Sequence, residues 1–300
     1  MSDGMHKIRA TNVFQAIGLE SIPTRIYLSE ETRPTEQALA GAFGRDTRLV
    51  VRTGTRSESR NLPRVVGLTP QQAAGWILAL DTSLDVLIQP YSEVVFSLEL
   101  GVFKDYRLAE VVPGIWELDT RTEPAVLVFD EGWKLEKAVW RSDLSQSRFH
   151  TLATGYSNRL CRVEDWHVVS IVKWLEMNAS RLDELAREFD APHCIKITFA
   201  SDYGLAPQNI RTNIPTISRD AWAEPLESYV RITHLSDVIA RGDSVLLDVS
   251  IAREYHGDLD VLISKLRQAD VSYVYLASGL LSHLAIGLRE AGLEVRRFNG

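Results

Sequence analysis

The sequence has little cysteine: Cys161 and Cys194 are the only two in 300 residues. That leaves no disulfide framework and no cysteine-rich zinc site. It has no apolar run approaching ~18 residues, so nothing in it reads as a membrane span. Its first residues, Met-Ser-Asp-Gly-Met-His-Lys, lack the apolar stretch of a secretion signal. Positive charge is not in excess either. There are 33 Lys and Arg against 40 Asp and Glu, a formal net charge of −7. Such a balance argues against nucleic acid or an acidic membrane as partner, because both select basic surfaces. Seven tryptophans are scattered and form no stacking array for bases. Internal repeats and low-complexity tracts are absent. These absences set the expectation of a cytoplasmic protein.

What is present is the composition of an ordinary globular chain, 45% hydrophobic and 24% charged. The length accommodates two domains or one large one, with a core that needs neither disulfide nor metal. Runs rich in β-branched residues predict strands at Arg48–Arg52, Asp85–Gln89, Glu93–Glu99, Pro124–Phe129 and Cys194–Phe199. Thr69 as N-cap with Pro70 at the first helical position predicts a helix over Thr69–Leu80. Apolar residues near helical spacing predict a long amphipathic helix over Glu164–Phe189, ended by Asp190-Ala-Pro. The stretch 212–231 is polar and irregular, contains Pro215 and Pro225, and reads as a linker.

After it strands and helices alternate. Ser244–Val249, Val271–Leu276 and Leu293–Phe298 read as strands, and Asp258–Gln268 and Ser282–Ala291 as helices. Alternation of this kind implies a largely parallel sheet. The expected division is therefore residues 1–211, a linker at 212–231, and a small unit at 232–300.

Within the small unit, Gly279-Leu-Leu-Ser-His283-Leu-Ala-Ile-Gly-Leu-Arg289-Glu290-Ala-Gly292 carries chemistry. A strand ends, a glycine turns the chain, and a histidine falls in the first turn of a helix. Free N–H groups and the positive end of the helix dipole favour an anion there. A neutral imidazole at that place can attack phosphorus. A structural histidine in a helix that happens to begin Ser-His is the plain alternative.

The segment resembles the phosphohistidine motif of phosphoenolpyruvate-utilising enzymes, Gly-Gly-x-x-Ser/Cys-His-x-Ala-Ile-x-x-Arg-Glu-x-Gly-Ile-Pro. Gly279, Ser282, His283, Ala285, Ile286, Arg289, Glu290 and Gly292 match it, while Ser278 and Glu294 depart from it. Further segments resemble, in the family's order, the ATP-grasp domain that charges such a histidine. Arg9-Ala-Thr-Asn12 with Gly18 to Pro23 resembles the first phosphate-binding segment, with Arg9 in place of its lysine. Leu49 to Glu58 resembles the next, with Arg52 and Glu58 at the family's spacing. Val86-Leu-Ile-Gln89 resembles the strand near adenine. Arg107 to Leu118 resembles the segment with an acid facing triphosphate and metal, here Glu110. Ile195 to Arg211 resembles the closing hairpin, with Gln208 and Arg211 near its Gln and Arg but with Lys196 where the family has a metal-binding Glu.

The resemblance implies a fold class of α/β: an α+β ATP-grasp-like domain followed by a small swivelling phosphohistidine-like domain. It implies the cofactors ATP and Mg2+. It implies an enzyme in which His283 takes a phosphoryl group and passes it to a small-molecule acceptor, with Arg289 steadying the phosphate. Arg9, Arg52, Glu58, Gln89 and Arg211 would bind the nucleotide, and Glu110 the metal. The enzyme family's phosphoenolpyruvate-binding barrel has no counterpart here. Two other readings stand beside this one: an ATP-grasp ligase that does not use His283, and a non-catalytic nucleotide-binding protein.

Overall fold

A computed structural model describes residues 7–19, 22–55, 62–114, 124–139, 145–152, 155–162, 165–189, 192–218, 221, 229–234, 236–237, 239–242, 244–248, 259–276 and 279–298. The chain begins with helix α1 (Lys7–Ala16) and then builds a small antiparallel sheet from β1 (Arg25–Tyr27), β2 (Leu49–Gly54), β3 (Arg64–Leu68) and β4 (Asp85–Pro90), in the order β1-β4-β2-β3. Two helices, α2 (Glu36–Phe43) and α3 (Pro70–Leu78), cover one face, where Leu39, Leu49, Val51, Ala73, Ile77, Val86 and Ile88 are buried together. The start of α3 follows from its sequence. The Thr69 hydroxyl accepts the Gln72 N–H, the Gln72 side chain accepts the Thr69 N–H, and Pro70 follows the cap. Alternation in β2 sends Leu49 and Val51 to that core, so Val50 and Arg52 lie on the other face, beside Gln89 of β4.

The larger sheet is also antiparallel. Its strands are β5 (Val94–Val102), β6 (Tyr106–Pro113), β7 (Ala125–Asp130), β8 (Leu135–Val139), β11 (His193–Ala200) and β12 (Gly204–Arg211), in the order β12-β11-β5-β6-β7-β8. A separate two-stranded hairpin pairs β9 (Ser145–Leu152) with β10 (Gly155–Arg162). The 25-residue helix α4 (Asp165–Phe189) lays Ile171, Leu175, Leu182 and Leu185 on one face of the large sheet, where Ala10 and Phe14 of α1 join them. Among the described residues no helix is long and apolar enough to cross a membrane.

Strands β13 (Val230–Ile232), β14 (Ser244–Leu247), β15 (Tyr273–Leu276) and β16 (Val295–Arg297) form a parallel sheet with helices α5 (Leu259–Gln268) and α6 (His283–Glu290). This is the parallel arrangement that the alternating pattern predicts. The chain is thus α/β in class, α+β over most of its length with a small parallel unit at the end. Gly292 takes φ +81° after α6, the left-handed position that a helix-stopping glycine serves.

The small unit shares a core with the second face of the large sheet. Phe103, Tyr106, Leu108, Val126, Val128 and Cys194 are buried with Leu280, Leu281, Leu284, Ala285 and Leu288. Ile214, Ile217 and Ala221, within the stretch expected to be a linker, are buried in that same cluster. The stretch is polar in composition, but its few apolar residues are seated in the core, and β13 begins at Val230 before the expected boundary.

Candidate functional site

The strand pairing of the large sheet sets one row of polar residues across its middle. Lys196 of β11 lies opposite Glu99 of β5, and Glu99 lies opposite Glu110 of β6. Opposite Lys196 on the other side is Asn209 of β12, and Cys194 is paired with Arg211. Alternation puts Phe96, Leu98 and Leu100 of β5, with Ile195 and Ile197 of β11, into the helical core. The polar row therefore occupies the opposite face, toward the small unit.

These groups are closely coupled. Lys196 Nζ stands 2.9 Å from Glu99 Oε1. The Cys194 thiol donates to Glu99 Oε2 at 3.5 Å. Burial alone would push the Glu99 carboxyl up, but the Lys196 ammonium and the Arg211 guanidinium hold it below the usual carboxylate range. Burial, reinforced by Glu99, pushes the Cys194 thiol well up and keeps it protonated.

Glu110 serves a different structure. Its two carboxylate oxygens accept the backbone N–H groups of Leu280 and Leu281, at 2.6 and 2.8 Å, in the loop that leads into α6. Burial pushes this carboxyl up, more than Arg297 and the two N–H bonds bring it down. Arg289 braces the same loop, with Nη1 donating to the Leu280 carbonyl at 2.7 Å. Burial depresses the Arg289 guanidinium to about 10 despite Glu110 nearby.

At the head of α6, Ser282 is the N-cap, and its hydroxyl accepts the Ala285 N–H at 3.1 Å. His283 is exposed on the first turn. Arg211 Nη2 stands 2.8 Å from its Nε2 and 3.1 Å from its Nδ1, and donates to whichever nitrogen holds a lone pair. Arg211 is itself 7% exposed, and its other terminal nitrogen, Nη1, has no hydrogen-bond partner among the described residues. His283 and Arg289 are six positions apart on a helix of 3.6 residues per turn, so they leave it on different faces.

The small sheet contributes from the other side. Arg52 Nη1 donates to Gln208 Oε1 of β12 at 3.5 Å, which joins the two sheets. Across the β2–β3 pair Arg52 lies opposite Arg64. Burial, and then Arg64, depress the Arg52 guanidinium to about 10. Gln89, on the same face, donates from Nε2 to Thr24 Oγ1 at 2.9 Å. Of the residues singled out in the sequence, Arg211 stands against His283 at the head of α6, and Arg52 reaches Gln208, three positions before Arg211 on β12. Gln89 stands on the sheet face that carries Arg52. Glu110 and Arg289 meet at the loop before α6. Arg9 is exposed on α1, in the helical layer on the other face of the large sheet. Glu58 lies outside the described residues.

Glu99 is the residue that the motifs passed over. Its signal is an alternation: Ser97 and Glu99 are polar at two-residue spacing inside the apolar Val94–Val102.

Magnesium needs several oxygen ligands in near-octahedral array. The buried carboxylates here are engaged otherwise, Glu99 with Lys196 and Glu110 with two N–H groups. Asp202, in the turn between β11 and β12, accepts the Ser92 hydroxyl at 2.6 Å. Among the described residues no group of three or more His, Cys, Asp or Glu is placed to hold a metal ion. The residues at the junction do not fit magnesium.

No protein-family model matches the chain, and no curated protein matches it. Among solved structures it is similar to an ADP complex of N5-carboxyaminoimidazole ribonucleotide synthetase, with 10% identity and a TM-score of 0.38 over 71% of this chain and 46% of that one. It is similar to D-alanine–D-alanine ligase from Bacillus anthracis, with 11% identity and a TM-score of 0.37 over 70% of this chain and 57% of that one. It is similar to a D-cycloserine synthetase, with 13% identity and a TM-score of 0.38 over 70% of this chain and 63% of that one. The chain thus spans about half the length of the solved structures it matches. Likenesses this distant leave the activity to be argued from the chain's own side chains.

Proposed function

We propose that this chain binds ATP at the junction between its two antiparallel sheets. The observation that supports this reading is the convergence of cations there. Arg52 comes from the small sheet and reaches Gln208 of the large one, three positions before Arg211, whose buried Nη1 has no partner among the described residues. Like charges brought near one another repel, and a polyanion between them relieves the repulsion. Arginine forks suit the phosphate chain. Gln89, which the sequence resemblance puts near adenine, stands on the same sheet face as Arg52.

A ligase-type use of ATP, in which a substrate carboxylate rather than His283 is phosphorylated, is favoured over transfer through His283 by one observation. An attacking imidazole needs a free lone pair, and Arg211 is within hydrogen-bond distance of both ring nitrogens. The shared core beneath α6 also sets Leu280, Leu281 and Leu284 against the large sheet.

Isothermal titration of the wild-type chain with ATP in magnesium buffer is the test, beside Arg52→Ala. Binding that weakens about tenfold or more in the variant supports the reading, since a charge-assisted contact is worth roughly that. Absence of binding at millimolar ATP overturns it. Intact mass after incubation with ATP separates the two modes of use. A gain of one phosphoryl group that Glu, Asp and Ser variants retain but His283→Ala loses would restore the histidine carrier.

A further inference from the structure

We propose that the triphosphate is held at this junction without a divalent metal, its charge taken by Arg52 and Arg211 of the chain itself. This rests on the ATP-binding reading above and adds the means by which the phosphates are neutralised.

The argument begins with what the carboxylates are doing. A metal site needs acids whose oxygens are available to a cation. Glu99 has spent its charge on an ammonium 2.9 Å away. Glu110 has both oxygens on backbone N–H groups of a loop 170 and 171 positions distant. A divalent ion entering this row would have to displace an ion pair or uncap that loop. It would also meet Lys196 and Arg211, two cations on the same sheet face, diagonal to each other across β11 and β12. Charge repulsion therefore works against a metal here, as it works in favour of a phosphate.

The second step is donor capacity. An arginine guanidinium carries five N–H donors. Arg211 Nη1 is buried and has no partner among the described residues. Arg52 reaches the junction on a long 3.5 Å contact to Gln208, a bond that leaves much of its guanidinium fork uncommitted. Built-in cations with spare donors do for a phosphate chain what a bound metal does elsewhere: they bridge its oxygens and offset its charge.

The experiment is a titration of the full-length wild-type chain with ATP, once in magnesium and once in excess EDTA, repeated with inorganic tripolyphosphate in EDTA. The expected result is ATP affinity equal within about threefold in the two buffers, since no metal contact is lost, and a measurable affinity for tripolyphosphate alone. Arg52→Gln and Arg211→Gln should each weaken ATP binding in EDTA about tenfold or more. Circular dichroism and a thermal melt identify any variant that fails to fold. The wild-type comparison stands without the variants. ATP binding in magnesium that disappears in EDTA overturns the inference and leaves the ATP-binding reading in place. No ATP binding in either buffer overturns that reading, and the inference falls with it.

Discussion

Glu110 on β6 and Leu281 ahead of α6 are 171 positions apart, and the carboxylate of the first accepts the backbone N–H of the second at 2.8 Å. The other oxygen takes the neighbouring Leu280 N–H, so one side chain caps two successive donors of a buried loop. Helix starts leave such donors without partners, and burial makes an unpaired one costly. Replacing Glu110 with Ala should therefore destabilise the chain by about 1–3 kcal/mol for each N–H left unpaired. Urea unfolding of the two proteins measures it. A loss of a few tenths of a kcal/mol, typical of surface positions, would mean that water reaches the loop and that Glu110 is not its cap.

The same carboxylate carries a pH signature. Burial raises its native pKa above that of the unfolded chain, ~4.3 for a glutamate. The native state then keeps this proton to higher pH than the unfolded state does. Stability linked to Glu110 is full below about pH 4.3 and declines as pH rises through the raised value. Glu99 works in the opposite sense. Its native pKa is lowered, so its contribution is present above about pH 4.3 and is lost as pH falls through the lower value. Glu110→Gln removes the first dependence and keeps the second. Urea midpoints from about pH 4 to 8 should show the wild type losing ground to Glu110→Gln as pH rises. A gap that stays flat, or widens in favour of the wild type, would contradict the buried, raised carboxyl.

Lys196 and Glu99 make a pair whose partners cannot be removed singly at low cost. Their side chains are 19% and 4% exposed, so each is largely taken out of water. Deleting one leaves the other charge buried alone, which costs about 3–5 kcal/mol. Lys196→Met is expected to lie in that range. Glu99→Gln combined with Lys196→Met should recover part of the loss, because both charges of the pair go together while the Arg211 guanidinium stays. The double-mutant cycle reads the coupling directly by chemical denaturation. Additive single effects would show that the pair is hydrated and that its closeness matters little.

What the sequence makes legible here follows periodicity and caps. Thr69 with Pro70 marks the start of α3. The spacing of Ile171, Leu175, Leu182 and Leu185 marks α4, and alternating strands and helices mark the parallel sheet. Strands such as β9, Ser-Gln-Ser-Arg-Phe-His-Thr-Leu, are polar along their length and carry no apolar alternation to read. The linker expectation fails to show three core residues because single apolar side chains in a polar stretch look like surface. At the site, Arg211 and His283 were visible as isolated motifs, and only the fold brings them together. The Lys196–Glu99 contact was not visible at all. It is a register property of β11 against β5, set by pairing 97 positions apart, and local pattern holds no record of it.

Gly101 of β5 lies close under Leu281 of the loop before α6. A Cβ there would meet Phe103 Cε2 at 2.7 Å and Leu281 Cδ2 at 2.9 Å. Phe103 is not free to yield: it is buried and stacked on Tyr106 at 4.8 Å between ring centroids. Tyr106 in turn is fixed by its hydroxyl donating to the Ile217 carbonyl at 2.7 Å. Leu281 is pinned by its N–H on Glu110. Gly101→Ala should therefore cost about 1–3 kcal/mol by overpacking. Gly41, exposed within α2, is the control, with nothing within 4 Å of an added Cβ. There the methyl group meets only solvent and the helix gains propensity, so Gly41→Ala should stabilise by about 0.5–1 kcal/mol. Thermal melts of the two variants should move in opposite directions from the wild type. If Gly101→Ala melted at or above the wild-type temperature, Phe103 and Leu281 would have to move apart at little cost. The packing that couples α6 to the sheet would then be loose enough for the small unit to separate from it.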